Sequence, residues 1–307
     1  MSKTIEINKL PTRTWNQLGV NQTSLIWDED NTHKIGDVIV RMGDEPARLD
    51  ISGQGDYSRQ TVRIEAPKNA EVTVFETLCP EHCLHVQTLI CLGQNALVRL
   101  VQLYNGKPGS LQRSVINGVC AENARMELIQ IMPGCGDIYS DEHIDLQGDG
   151  ASFSSQIGYL GGGEQVIDMN MTVNHLGCNT NSEINVSGAL RDSARKVFRG
   201  TIDFKAGSAG SVGNEKETVL MLGENVVNKT VPLILCAEEN VEGNHGATIG
   251  EMDDETAFYF ESRGISREAA EILLSHAAIE HLVRIVGDKQ IEEATMDALR
   301  RQSHELL

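Results

Sequence analysis

The chain has 307 residues, enough for two ordinary domains or one elongated one. Forty per cent are apolar but only 4% are aromatic, so a large core must be built from Val, Ile, Leu and Ala. Acidic residues outnumber basic ones 44 to 26, and a net charge of −18 argues against nucleic-acid or anionic-membrane partners while suiting solubility, basic partners or cationic metals.

No run of about 18 apolar residues occurs, so no transmembrane helix is expected. MSKTIEINKLPTRTW lacks the apolar centre of a secretory signal. Seven cysteines at irregular spacing read as reduced thiols and predict a cytoplasmic protein.

Residues 1–35 form a poorly periodic lead-in that Pro11, Trp15, Leu18 and Trp27 could pack against the body. From about 36 to 130, short strand-like runs recur. They are Val38–Val40, Ala47–Ile51, Val62–Ile64, Val72–Phe75, Leu97–Val101 and Met126–Ile131, bounded by turn-forming Gly, Asn, Asp or Pro. Further on, Ile144-Asp-Leu146, Met171-Thr-Val173, Ile202-Asp-Phe204 and Leu233-Ile-Leu235 repeat at separations of 27, 31 and 31 residues. Gly148, Gly177, Gly207 and Gly243 fall in or after the following turns. A period in this range means stacked units that bury their apolar faces on their neighbours. The pattern predicts a mainly β solenoid over 36–250, with a β-sandwich as the alternative.

The period changes after His245. Asp253 can cap a short helix, Gly264 can end it in a left-handed conformation, and Ser266 can cap the next. Ile272, Leu273, Ala277, Ile279 and Ile285, with Ala270 and Leu274 beside them, give that helix a broad apolar stripe. Asp288 can cap a last helix through Leu299 that frays at Glu305-Leu306-Leu307. Residues 251–307 therefore form a small helical domain.

Several residues carry metal-binding chemistry. His245, flanked by Gly243 and Gly246, offers an imidazole with backbone room for a ligand. Cys236, Glu238, Glu239 and Glu242 precede it, and thiolate, imidazole and carboxylate together could hold iron. The plainer alternatives are a turn-closing His and a small core Cys. Cys79-Pro-Glu-His82-Cys83-Leu-His85, with Cys91 downstream, is the densest donor cluster. It lacks the second ligand pair of a structural zinc site, and Pro80 interrupts it. His175 and Cys178 read as a polar corner, Cys120 and Cys135 as packing or turn residues, and His143 as a solvated edge. No phosphate-binding loop with its lysine is present, Gly161-Gly162-Gly163-Glu164 included, and no serine-hydrolase elbow occurs.

The order His245-Gly-Ala-Thr-Ile-Gly250, the acidic turn Asp253-Asp254-Glu255, Phe258-Tyr259-Phe260 and Ser262-Arg263-Gly264-Ile265 resembles the C-terminal signature of the SufB/SufD proteins of iron–sulfur cluster assembly. Arg199-Gly-Thr-Ile-Asp-Phe204, through Glu215 to Leu222, is similar as well. The resemblance spans roughly residues 135–286. It implies a right-handed parallel β-helix followed by a small helical domain, in agreement with the repeats. It also implies a non-enzymatic scaffold handling a transient iron–sulfur cluster or iron. A SufC-type ATPase would dock on 251–307, and a SufB-type chain or second copy near His245. The SufD pattern commonly has Cys where this chain has Gly243. SufB-type chains carry Glu at the position of Gly246 and Cys near Val226. The chain is therefore similar to SufD, with His245 the residue implied in metal or cluster handling. A reading from another class is a carbohydrate-active β-helix enzyme using Asp141, Glu142 and Asp145, against which low aromatic content argues. A third is a structural-only partner subunit.

Overall fold

The structure is a computed structural model that describes residues 2–14, 16–41 and 45–304. Trp15 and Glu305-Leu306-Leu307 lie outside the described residues. Two parallel sheets face each other and form a β-solenoid. Sheet I stacks, in order, Thr32–Lys34 with Val38–Arg41, Tyr57–Ala66, Cys83–Leu92, Leu111–Cys120, Asp137–Leu146, Val166–His175, Arg195–Phe204 and Val227–Cys236. Sheet II stacks Ala47–Ser52, Glu71–Cys79, Leu97–Tyr104, Arg125–Met132, Ser152–Gly161, Asn181–Arg191, Ser211–Leu222 and Val241–Gly250.

Every strand of these two sheets pairs in parallel with a strand one coil away, so inward positions form straight columns. One column is Ile64, Ile90, Gly118, Ile144, Val173, Ile202 and Ile234. Its last three steps are 29, 29 and 32 residues. The separations of 27, 31 and 31 expected from sequence are therefore corrected. Met171 belongs to the adjacent inward column with Glu142 and Gly200, and Leu233 stacks on Thr201, facing out. Corners differ in length from coil to coil, and a slip of one residue reverses a strand's faces.

The corners leading from sheet I to sheet II rest on stacked left-handed residues. Asn69, Asn95, Asn123, Gly150, Asn179 and Gly210 all have positive φ, and each donates its N–H to a carbonyl in the next corner. Gly150 and Gly210 follow an asparagine below whose side chain occupies the space a Cβ would need.

The solenoid interior is the main apolar core, but it contains a polar ladder. Gln102 donates to Glu76 at 2.7 Å, and Gln130 donates to Gln102 at 3.1 Å and to Glu142 at 2.8 Å. Thr88, Ser114 and Tyr104 complete it. Burial raises Glu76 to about 7 and Glu142 to about 8, against the hydrogen bonds that Gln102 and Gln130 donate to them.

Both outer faces are partly covered. Helices α1 (Asp254–Glu261), α2 (Arg267–Val286) and α3 (Lys289–His304) follow the last strand. Asp253 accepts the Thr256 N–H, Ser266 the Ala269 N–H, and Asp288 the Gln290 and Ile291 N–H groups. Gly287 closes α2 in the left-handed region, whereas α1 closes at Ser262 and Gly264 turns the chain two residues later. Ile279, Leu282 and Val283 of α2, with Ile291 and Leu299 of α3, pack on Val101, Ile129, Ile131 and Leu160 of sheet II. The stripe expected on α2 is shifted: Ile279 is buried, but Leu273 and Ile285 are exposed.

A hairpin of Lys3–Ile7 and Thr23–Trp27 lies across sheet I. Ile7, Leu25 and Trp27 pack there with Tyr57, Cys83, Leu111 and Tyr139. Of the expected lead-in anchors Trp27 is buried, whereas Pro11 and Leu18 are exposed, and Leu10 and Val20 are buried instead. Arg199 fastens the hairpin by donating to Val20 O, to Asp168 Oδ1 at 2.6 Å and to Thr23 Oγ1 at 3.2 Å. Asn8 and Thr23 also donate to Asp168. Among the described residues, no helix is long and apolar enough to cross a membrane.

Candidate functional site

The final coil is one of the two ends of the solenoid: among the described residues neither sheet meets a further strand beyond Val227–Cys236 and Val241–Gly250. These edges leave a row of backbone N–H and C=O groups without ladder partners. Pro232 interrupts the first edge, since it has no N–H to offer. The second, Val-Glu-Gly-Asn-His-Gly-Ala-Thr-Ile-Gly, contains neither Pro nor Lys.

His245 lies in the middle of this second edge and is exposed. Its strand register places it directly over Glu215, and Ala247 over Glu217. Glu215 points into the solenoid and fills the space beside Gly200, where any Cβ would strike its carboxylate. Gly200 thus accounts for the glycine after Arg199: the small residue makes room for a buried acid. Burial raises Glu215 to about 7, helped by the charge of Glu217 and opposed by Lys196.

Lys196 is fully buried and ion-paired with Glu217. It also donates to Asn228 Oδ1 at 2.9 Å and Thr230 Oγ1 at 3.2 Å, while Thr230 donates to Glu217 at 2.6 Å. Burial lowers the Lys196 ammonium, and Glu217 opposes the shift. The mouth therefore has a charged floor with an imidazole at its rim. Sequence reasoning missed Lys196, Glu217, Asn228 and Thr230. The available signal was a set of charged or polar residues at inward positions of otherwise apolar strands.

Cys236 ends the first edge strand and is exposed, stacked on Phe204 in register. Gly200 faces Glu215, so the next coil sets Pro232 opposite His245. Cys236 then lies four residues farther along, about 13 Å at the usual rise of a strand. Glu239 sits in the corner after Cys236 and is exposed, while its neighbour Glu238 accepts the Gly207 N–H at 3.1 Å. One chain does not draw His245, Cys236 and Glu239 together. Among the described residues, no group of three or more His, Cys, Asp or Glu side chains is arranged to hold a metal.

The other candidates separate. Cys79 faces outward from sheet II, whereas Cys83 and His85 lie on sheet I beneath the hairpin. His85 packs edge-on to Trp27, and burial with nearby Arg113 and Arg59 lowers it to about 3. His82 lies in the turn between the sheets, and Cys91 is exposed on sheet I. His175 is an inward residue bonded to Thr180 and Ser182, not an exposed corner, and burial lowers it to about 4. Asp141 and Asp145 face outward while Glu142 is buried inside, so the proposed carboxylates do not share a groove. His143 pairs with Asp141 at 3.0 Å.

Residues 49–278 match the family model described as SUF system FeS cluster assembly, SufBD core domain. The chain belongs to this SufBD core family. The iron–sulfur cluster assembly protein SufD of Bacillus subtilis is 27% identical over 249 residues, covering 78% of this chain and 56% of the relative. A SufBD family protein of Staphylococcus saprophyticus is 29% identical over 239 residues, covering 76% and 51%. SufB of Bacillus subtilis is 28% identical over 162 residues, covering 53% and 35%. The longer match to SufD agrees with a SufD-like member of the SufBD family. The chain spans about half the length of the curated relatives it matches most extensively.

Proposed function

We propose that this SufBD family member is a SufD-like cytoplasmic scaffold for assembling or transferring iron–sulfur clusters, itself without catalytic turnover. The cluster is cargo. A SufB-type chain or a second copy docks on the open mouth, and a SufC-type ATPase docks on residues 251–307. The observation that carries this reading is His245, exposed on the unpaired strand Val241–Gly250 above a charged floor.

The exposed imidazole is a ligand that a partner can complete. Exposed Cys236 and Glu239 are further donors only if the partner or cargo reaches them. Strand pairing would cover the bare edge and remove water from the space above Glu215 and Lys196. Phe258, Tyr259, Leu273 and Ile285 give the helices an apolar surface suited to the ATPase. ATP hydrolysis in that partner would then act on helices that rest directly on sheet II.

Anaerobic reconstitution with iron and sulfide, in complex with the natural partners, tests the role of His245. His245→Ala should form the same complex and load less cluster than wild type. Equal loading would remove His245 from the role and favour the structural-only partner. Failure to co-purify with either partner would reject the scaffold reading.

A further inference from the structure

A cleft of about 480 Å³ runs along one corner of the solenoid, separate from the mouth. Successive corners near Pro108, Gly134, Gly162 and Arg191 stack there, and α3 supplies Gln302 as a wall. The volume lies within the range of small-molecule sites.

Arg191 is the cation of this cleft. Its Nε is buried and has no hydrogen-bond partner. The neighbouring Asp192 carboxylate lies 3.7 Å from Nε and accepts the Gly163 N–H at 2.8 Å instead. Gln302 is 5% exposed and spends one amide N–H on the Gly134 carbonyl at 2.9 Å, which leaves its second N–H. A Cβ at residue 162 would stand 3.0 Å from Arg191 Nε, 3.4 Å from Arg191 Nη2 and 3.3 Å from Gln302 Nε2. The absence of a side chain at Gly162 therefore lets Arg191 and Gln302 lie together against the corner backbone, and a guanidinium beside a primary amide is a donor pair suited to a carboxylate.

The same cleft holds Asp137 and Glu164. Asp137 receives one N–H, from Val166 at 2.9 Å, and burial outweighs that bond in raising it. Glu164 is exposed at the rim. With Asp192 nearby, a simple anion would meet three carboxylates for one guanidinium. A ligand carrying both charges satisfies both walls.

We propose that the corner cleft binds a small zwitterion of the amino-acid class, its carboxylate on Arg191 and Gln302 and its ammonium toward Asp137 and Glu164. Arg191 also lines a second cleft with Glu271 and Ser275 of α2, so the same side chain borders both clefts.

Saturation-transfer NMR and calorimetry on the full chain test this with L-alanine, L-glutamine and glycylglycine. Inorganic phosphate supplies the anion alone, and ethanolamine the cation alone. At least one zwitterion should bind saturably, more tightly than phosphate or ethanolamine. Arg191→Gln should weaken it roughly tenfold or more, through loss of the charge-assisted bonds. Glu164→Gln, at an exposed site that leaves the fold untouched, should weaken it less. Absence of saturable zwitterion binding, equal binding by phosphate or ethanolamine, or unchanged affinity in a folded Arg191→Gln or Glu164→Gln variant overturns the proposal.

Discussion

In the coil that carries Glu142, sheet I has a neighbouring strand on each side, and Gln130 supplies an N–H from the facing sheet. In the coil that carries His245, the same inward alternation meets nothing on one side. The middle holds its acids through neutral amides and hydroxyls, in surroundings that favour protonation. The mouth balances Glu217 with Lys196 and leaves His245 at the surface. A solenoid repeats its backbone, but the number of neighbouring coils decides whether an inward polar residue is a packing element or stays exposed at the surface.

The largest expected effect tests how the covered region is held. Arg199→Met would leave Asp168 buried without its guanidinium, although Asn8 and Thr23 still donate to it. Removing one member of a buried pair should cost about 3–5 kcal/mol in urea unfolding. Arg199→Met with Asp168→Leu should recover part of that loss. A single variant as stable as wild type would show that Arg199 does not anchor the hairpin.

A smaller effect follows from the acids inside the middle coils. Glu142 is raised by burial from 4.5 to about 8 and Glu76 to about 7. Both are more readily protonated folded than unfolded, so their contribution is most favourable below pH 4.5 and falls as pH rises through the folded values. Glu142→Gln should become progressively more stable relative to wild type from about pH 5 to pH 8, by about 2–3 kcal/mol in a relaxed interior. Comparing the variants at each pH separates this from buried His85 and His175, whose lowered values favour folding as pH rises toward 6.5. Parallel stability curves for wild type and Glu142→Gln would refute the assignment.

These elements differ in how far the sequence reveals them. Strict alternation and recurrent turn residues indicate stacked strands, and Asp253, Ser266 and Asp288 mark the three helix starts. Exact coil length is hidden because the corners absorb insertions: column spacing runs from 26 to 32 residues without breaking the register. The corner ladder of Asn and Gly becomes evident only when the left-handed residues are aligned in space. The hairpin cover is also concealed, since Arg199 and Val20 are 179 residues apart. His245 stands out by motif, yet its position at the rim follows from the end of strand pairing. Lys196 and Glu217 were legible only as charges on an inward face, a local conflict that becomes favourable when they meet.

A more modest change sharpens the floor of the mouth. Gly200→Ala would place a methyl group in the space of the Glu215 carboxylate. Because that obstacle is the end of a flexible side chain, it can swing toward the open mouth, and the expected destabilisation is about 1–2 kcal/mol. Glu215→Ala in the same background should relieve the clash. No recovery would show that Gly200 is required for backbone reasons instead.

Thiol chemistry probes the middle and the mouth without altering stability. Cys120 is buried inside the middle coils, and its thiol is pushed up to about 12 by burial, with the Asp145 charge adding to the shift. Cys236 is exposed at the mouth, and Cys91 is exposed on the outer face of sheet I. Brief iodoacetamide treatment of the folded chain should label Cys91 and Cys236 but spare Cys120, because accessible thiolate is the reactive species. Docking on the terminal coil should then slow labelling of Cys236 while leaving Cys91 unchanged. Equal protection of both, or of neither, would place the partner elsewhere, because of these two thiols only Cys236 belongs to the terminal coil.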